Sequence, residues 1–182
     1  MKRKTLLTPA LLLLLLLGPA HAARGRDRAD ALKIVSPNGR VEVVFALNGE
    51  GAPTYSVSYD GRAVVTPSTL GLVFKDGGLL SRGMVVTTTR RRAHDSWYGL
   101  VVGKASRGRD RYRELSVSLE ETSGARRRLR LVFRAYDDGA AFRYVVPAQP
   151  APGEFEIADE RSEFRFAADH ACWAMQLRTF HS

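Results

Sequence analysis

The sequence predicts an all-β fold, an antiparallel β-sandwich, and three observations predict it. Apolar and polar residues alternate through many short runs, turn chemistry separates those runs at regular spacing, and no segment sustains a helical period. One apolar and one polar face per strand is what two sheets closing on a shared core require.

The elements follow in order. Val41, Val43, Phe45 and Leu47 alternate with Glu42, Val44 and Ala46, giving a strand with a strongly apolar face. Tyr55, Val57 and Tyr59 alternate with Thr54, Ser56 and Ser58, and Asp60-Gly61 then turns the chain into Ala63-Val64-Val65. Leu70 to Phe74 is a short strand closed by Lys75-Asp76-Gly77-Gly78, and Met84 to Thr89 is β-branched and extended. Leu115, Val117 and Leu119 alternate with Glu114, Ser116, Ser118 and Glu120; after a Ser123-Gly124 turn, Leu129, Leu131 and Phe133 alternate with arginines and Val132.

The run Phe133 to Tyr144, FRAYDDGAAFRY, sets an Asp-Asp-Gly turn between two apolar runs. It predicts a hairpin whose turn residues tolerate positive φ. Ala141 to Val146 continues it, Pro147 to Gly153 is a proline-rich loop, and Phe155 and Ile157, then Phe164 and Phe166, mark a last pair of extended segments.

The first 22 residues predict a cleavable signal peptide and hence export to the periplasm or the outside. Lys2, Arg3 and Lys4 are a basic start, Leu11 to Leu17 an apolar stretch, and Ala20-His21-Ala22 a small-x-small cleavage site. The stretch is too short for a stable membrane anchor. Residues 23–33 form a polar leader and 34–182 one domain, which reads as cut short at its C-terminal end. A single cysteine, Cys172, leaves stability to the packed core.

Charge and motifs exclude more than they assign. The formal charge is +9, or +6 without the signal, and it is rich in arginine. Arg90-Arg91-Arg92, Arg126-Arg127-Arg128 and the series Arg107, Arg109, Arg111, Arg113 are dense enough to attract phosphates. Arg128, Arg130 and Arg134, however, take the polar face of a strand, and the chain is exported, so no nucleic-acid partner is expected. Asp137, Asp138, Asp159, Glu160, Glu163 and Asp169 show no spacing that singles out an acid and a base, so no catalytic residue is assigned. His94, His170 and His181 lack zinc spacing, and no metal ligand is assigned. His94-Asp95-Ser96 holds the residue types of a hydrolytic triad, but triad members must converge through space. Two tryptophans, Trp97 and Trp173, remain: they either plug the ends of the sandwich or serve as carbohydrate contacts, because a loop tryptophan can stack on the apolar face of a sugar ring.

Several pieces recur in the order found in one family. These are Ser36-Pro37-Asn38-Gly39 before Val41-Glu42-Val43, Pro53-Thr54-Tyr55-Ser56-Val57 with Gly61, and Ser68-Thr69-Leu70-Gly71-Leu72. Trp97 and Gly103, Tyr112-Arg113-Glu114-Leu115, the FRAYDDGAAFRY run, Glu163-Phe164 and Trp173 complete the series. From Ile34 to Trp173 the chain resembles the N-terminal β-sandwich domain of glycoside hydrolase family 97.

That resemblance implies a galactose-mutarotase-like super-sandwich, followed in the family by a (β/α)₈ barrel that carries the catalytic carboxylates. Family members include inverting α-glucosidases and retaining α-galactosidases and depend on calcium, but no residue of this chain matches the barrel carboxylates. The chain is therefore expected to be the N-terminal part of an exported α-glycosidase, packing on a catalytic barrel and walling its active site. Its expected partners are that barrel and α-glucosides or α-galactosides, with no cofactor of its own. The alternative is a stand-alone periplasmic carbohydrate-binding module.

Overall fold

The computed structural model describes residues 31–75, 78–149 and 155–172; the signal segment and Trp173 lie outside them. The described residues form eleven β-strands and no helix, as the alternation predicts. Four strands make the first sheet in the order β1-β2-β3-β4: β1 (Leu32–Val35), β2 (Val41–Leu47), β3 (Pro53–Tyr59) and β4 (Arg62–Thr69). A three-stranded sheet, β11-β5-β6, is built from β5 (Leu72–Phe74), β6 (Leu79–Leu80) and β11 (Ile157–Glu160). The third sheet, β10-β9-β8-β7, contains β7 (Met84–Gly99), β8 (Arg107–Glu121), β9 (Arg128–Tyr136) and β10 (Ala140–Val145). Every named pairing is antiparallel.

The first and third sheets face each other, with β1 over β8 and β9 and β2 over β9. Alternation along each strand decides what fills the gap. Val41, Val43 and Phe45 of β2 meet Leu115, Val117 and Leu119 of β8 and Leu129, Leu131 and Phe133 of β9, all essentially buried. Burial of each of these side chains stabilises the fold by about 1.5–3 kcal/mol. Leu70, Phe74, Leu80 and Met84 extend this core toward the small sheet.

Turn chemistry meets expectation at one site and departs from it at another. Asp60 (φ 49°) and Gly61 (φ 75°) both take the left-handed region, which is the two-residue type I′ turn that joins β3 to β4. The β9–β10 hairpin also forms, but Asp137, Asp138 and Gly139 are not in the left-handed region. That turn closes instead through the Tyr136 amide, which donates to the Gly139 carbonyl at 2.8 Å.

Other boundaries also differ from the expectation. β1 begins at Leu32, inside the span read as polar leader, because Ile34 is its core residue and Lys33 pairs with Glu42 at the edge. The last two extended segments join different strands. β11 hydrogen-bonds β5, while Phe166 bridges Val65 of β4. Most consequential is β7, which runs on for ten residues past Thr89.

Candidate functional site

Trp97 lies on a strand and not in a loop, which corrects the sequence reading. β7 pairs with β8 from Met84↔Glu121 to Gly99↔Arg107, whereas β9 accompanies β8 only from Tyr112 to Glu120. The ends of β7 and β8 therefore leave the sandwich as a two-stranded arm, tipped by residues 100–106. At its end Leu100, Val101 and Val102 are exposed, Val101 at 98%.

Alternation gives the arm two faces. One carries Arg107, Arg109 and Arg111 from β8, opposite Gly99, Trp97 and Asp95 of β7, with Arg113 continuing the row at the arm's base between Ala93 and Ala135 of β9. The Trp97 ring, 59% exposed, has the guanidinium carbons of Arg109 and Arg107 at 5.4 and 6.0 Å from its centre. Arg109 donates two hydrogen bonds to Asp95, at 2.8 and 2.7 Å, and holds that carboxyl below the usual aspartate range. Arg111 bridges to Asp137 at 3.4 Å, joining the arm's base to the β9–β10 turn. On the opposite face the Tyr98 ring lies across Gly108, which has no Cβ to obstruct it.

That opposite face also holds His94 and Ser96, which stand two residues apart and meet, Nε2 to Oγ at 2.8 Å. Their contact is what strand geometry adds to a reading that had kept these neighbours apart. Asp95 points to the other face, and Asp110 approaches the same imidazole nitrogen at 3.5 Å. A hydrolytic relay needs the carboxylate on the second ring nitrogen, so this cluster is an exposed polar network and not a nucleophile.

The acidic residues take structural parts. Asp137 accepts a 2.8 Å hydrogen bond from the Asn38 amide, and the Asn38 side chain donates to the Asp137 carbonyl. Glu163 accepts from the Thr69 amide and hydroxyl and from Arg165, and these bonds, the Thr69 amide foremost, lower its pKa. Asp159 pairs with Arg161, Glu160 accepts from the Ser162 hydroxyl, and Asp169 is exposed. The aromatics of the FRAYDDGAAFRY run build core: Phe133 packs on Phe45 with ring centres 5.8 Å apart, and burial raises the pKa of Tyr144, whose hydroxyl accepts from the Gly71 amide. Burial likewise pushes the Tyr55 phenol up to about 12.

A cleft of about 620 Å³ opens between β3–β4 and β10, walled by Tyr55, Val57, Val64, Phe142 and Phe164. Its lining is apolar, with Asp138 and Glu160 at its margin, and offers few groups to fix sugar hydroxyls. Among the described residues no three His, Cys, Asp or Glu side chains gather as a metal would require.

Comparison with known proteins places this arrangement. Residues 34–182 match the family described as glycosyl-hydrolase 97 N-terminal. The chain belongs to that family. It is 39% identical over 124 residues to a probable retaining α-galactosidase of Streptomyces bingchenggensis, covering 68% of this chain and 18% of that protein. A retaining α-galactosidase of Bacteroides thetaiotaomicron is 24% identical over 136 residues, covering 75% and 19%. Among solved structures, a glycoside hydrolase family 97 enzyme from Pseudoalteromonas sp. strain K8, in complex with panose, superposes with a TM-score of 0.71. It is 25% identical, with 75% of this chain and 20% of that one covered. The chain thus spans about a fifth of the length of these relatives, and what it matches is their glycosidase N-terminal part.

Proposed function

We propose that this chain serves as the N-terminal domain of an exported α-glycosidase, packing on a catalytic barrel and walling one side of its active site. One observation carries the reading: a family match over residues 34–182 that spans only about a fifth of relatives named as α-galactosidases. Hydrolysis of a glycosidic bond takes two carboxylates on opposite sides of the scissile bond. The barrel supplies them. Calcium, on this reading, belongs to the barrel as well.

The test is enzymatic. Purified 23–182 is expected to leave aryl α-galactosides and aryl α-glucosides intact, and to support α-galactoside turnover when it replaces the matching part of the Streptomyces enzyme. Clear turnover by 23–182 alone overturns the reading. A second reading, a stand-alone carbohydrate-binding module, draws on the exposure of Trp97, with Trp173 outside the described residues. It requires heat on titration with α-glucan or α-galactan oligosaccharides that Trp97→Ala removes, and no heat with any of them eliminates it.

A further inference from the structure

The positive charge of this chain is concentrated in one place. Residues 90–113 hold eight of its 28 lysines and arginines but only two of its 19 acids, a surplus of six. The rest of the chain after residue 22 is balanced. Those 24 residues are the arm together with the stretch of β7 leading into it.

The surplus is also ordered. Along β8 the residues on the core side are Leu119, Val117 and Leu115, all fully buried. The same side then continues as Arg113, Arg111, Arg109 and Arg107. The covering sheet stops at this level, where Asn38 of the β1–β2 turn meets Asp137. The arm therefore carries the core side of a sheet outward with no layer over it, and lines it with guanidinium groups. Among the described residues, no carboxylate pairs with Arg107 or Arg113. Beyond them, Val101 and Val102 stand 98% and 83% exposed at the tip. Neighbouring apolar side chains this exposed at the end of a charged arm mark a contact surface.

Resting on the function proposed above, we infer that the arm is the grip by which this domain holds the catalytic portion of a family 97 glycosidase. The surface it grips is a carboxylate-bearing protein face beside an apolar recess that receives Leu100, Val101 and Val102. Two observations select this occupant. The relatives are about five times longer than the part matched, so a family enzyme has a large second body for the domain to meet. A row of arginines running about 20 Å from Arg107 to Arg113 suits a partner lying along the arm. A bilayer met end-on would feel only the charges near the tip, within a screening length of about 8–10 Å. A second copy would bring like charges together.

The experiment uses the chimaera in which this chain replaces the matching part of the Streptomyces bingchenggensis α-galactosidase. It is made with the native arm, with R107E/R113E and with V101D/V102D. The same substitutions in 23–182 alone should shift its melting temperature by no more than about 2 °C, because these side chains are exposed. In the chimaera each pair is expected to split one melting transition into two and to lower α-galactosidase activity at least about tenfold. Variant chimaeras that melt as one transition at the native temperature with full activity overturn the inference. So does sedimentation of 23–182 with phosphatidylglycerol vesicles that R107E/R113E abolishes, which would make the arm a lipid-binding element. A native-arm chimaera that is itself uncoupled and inactive sinks the proposed function, a result distinct from failure of the arm variants alone.

Discussion

Asn38 and Asp137 clasp each other across 99 residues of sequence, each using both its main chain and its side chain. The Asn38 amide donates to the Asp137 carboxylate at 2.8 Å, and the Asn38 side chain donates to the Asp137 carbonyl at 2.9 Å. The Asn38 side-chain oxygen also accepts from the Ser36 hydroxyl and the Arg40 amide, which shapes the β1–β2 turn. Asp137 in addition meets Arg111 at 3.4 Å. One pair of turns thereby locks the two large sheets at the end where the arm departs.

Asn38→Ala and Asp137→Ala are each expected to cost about 1–2 kcal/mol in urea unfolding. The double variant should cost less than the sum, because loss of either partner already frees both turns. Strict additivity would show that the two turns are held independently and that the clasp is incidental.

The same pair shows what a sequence reading reaches. Asp137 sits in an Asp-Asp-Gly turn whose hairpin was legible from local chemistry, whereas Asn38 sits in Ser-Pro-Asn-Gly, which entered only as a piece of the family resemblance. Their meeting was not legible, because period and propensity say nothing about which loops converge. The arm was hidden for a different reason. Arg90 to Ser96 has no apolar alternation: Arg90 to His94 form an edge strand opposite Ser116 to Tyr112, and Asp95 and Ser96 begin the two-stranded arm, whose two faces both meet solvent. Strands β2, β3, β8, β9 and β10 were read correctly where one face is buried. Trp97 was read as either a plug at the end of the sandwich or a loop contact for sugar, whereas its place on β7 leaves it exposed and sets Arg107 and Arg109 against its ring.

Gly51 is expected to be far less replaceable than Gly39, although both take positive φ. At Gly51 (φ 70°) an added Cβ would lie 2.8 Å from the Met84 amide nitrogen and 2.9 Å from its carbonyl oxygen. Met84 N–H donates to the Gly51 carbonyl there, so the β2–β3 loop is bonded to the start of β7. Gly39 (φ 82°) faces open space. Gly39→Ala should cost about 1–2 kcal/mol from backbone strain alone. Gly51→Ala adds a backbone collision and should exceed that by at least about 1 kcal/mol. Equal urea midpoints for the two variants would refute the close approach.

Phe133 joins the family motif to the core. It is 1% exposed and lies within ring contact of Phe45, Tyr55 and Phe142. Phe133→Ala should lower stability by about 3–5 kcal/mol and broaden or abolish the cooperative transition. Phe133→Leu keeps most of the volume and is expected to retain the transition. If both behave like the native chain, Phe133 does not carry the packing described.

Acid should weaken the Glu121–Arg127 pair, and the direction follows from its surroundings. Burial alone would raise the Glu121 pKa, but the Arg127 side-chain and backbone hydrogen bonds together outweigh it and hold the carboxyl below the usual glutamate range. Three bonds of 2.7–2.9 Å reach the carboxylate from Arg127, and the Glu121 side chain is only 11% exposed. A carboxyl depressed on folding contributes stability that is present above its unfolded pKa of about 4.3 and is lost as pH falls through the lower folded value. Glu121→Gln should therefore be less stable than the native chain by about 1.5–3 kcal/mol at pH 7. The gap between the two should narrow progressively below about pH 4. Urea midpoints taken at pH 7, 5 and 3.5 check this, and a gap that stays constant across that range would mean the carboxylate is not what Arg127 holds.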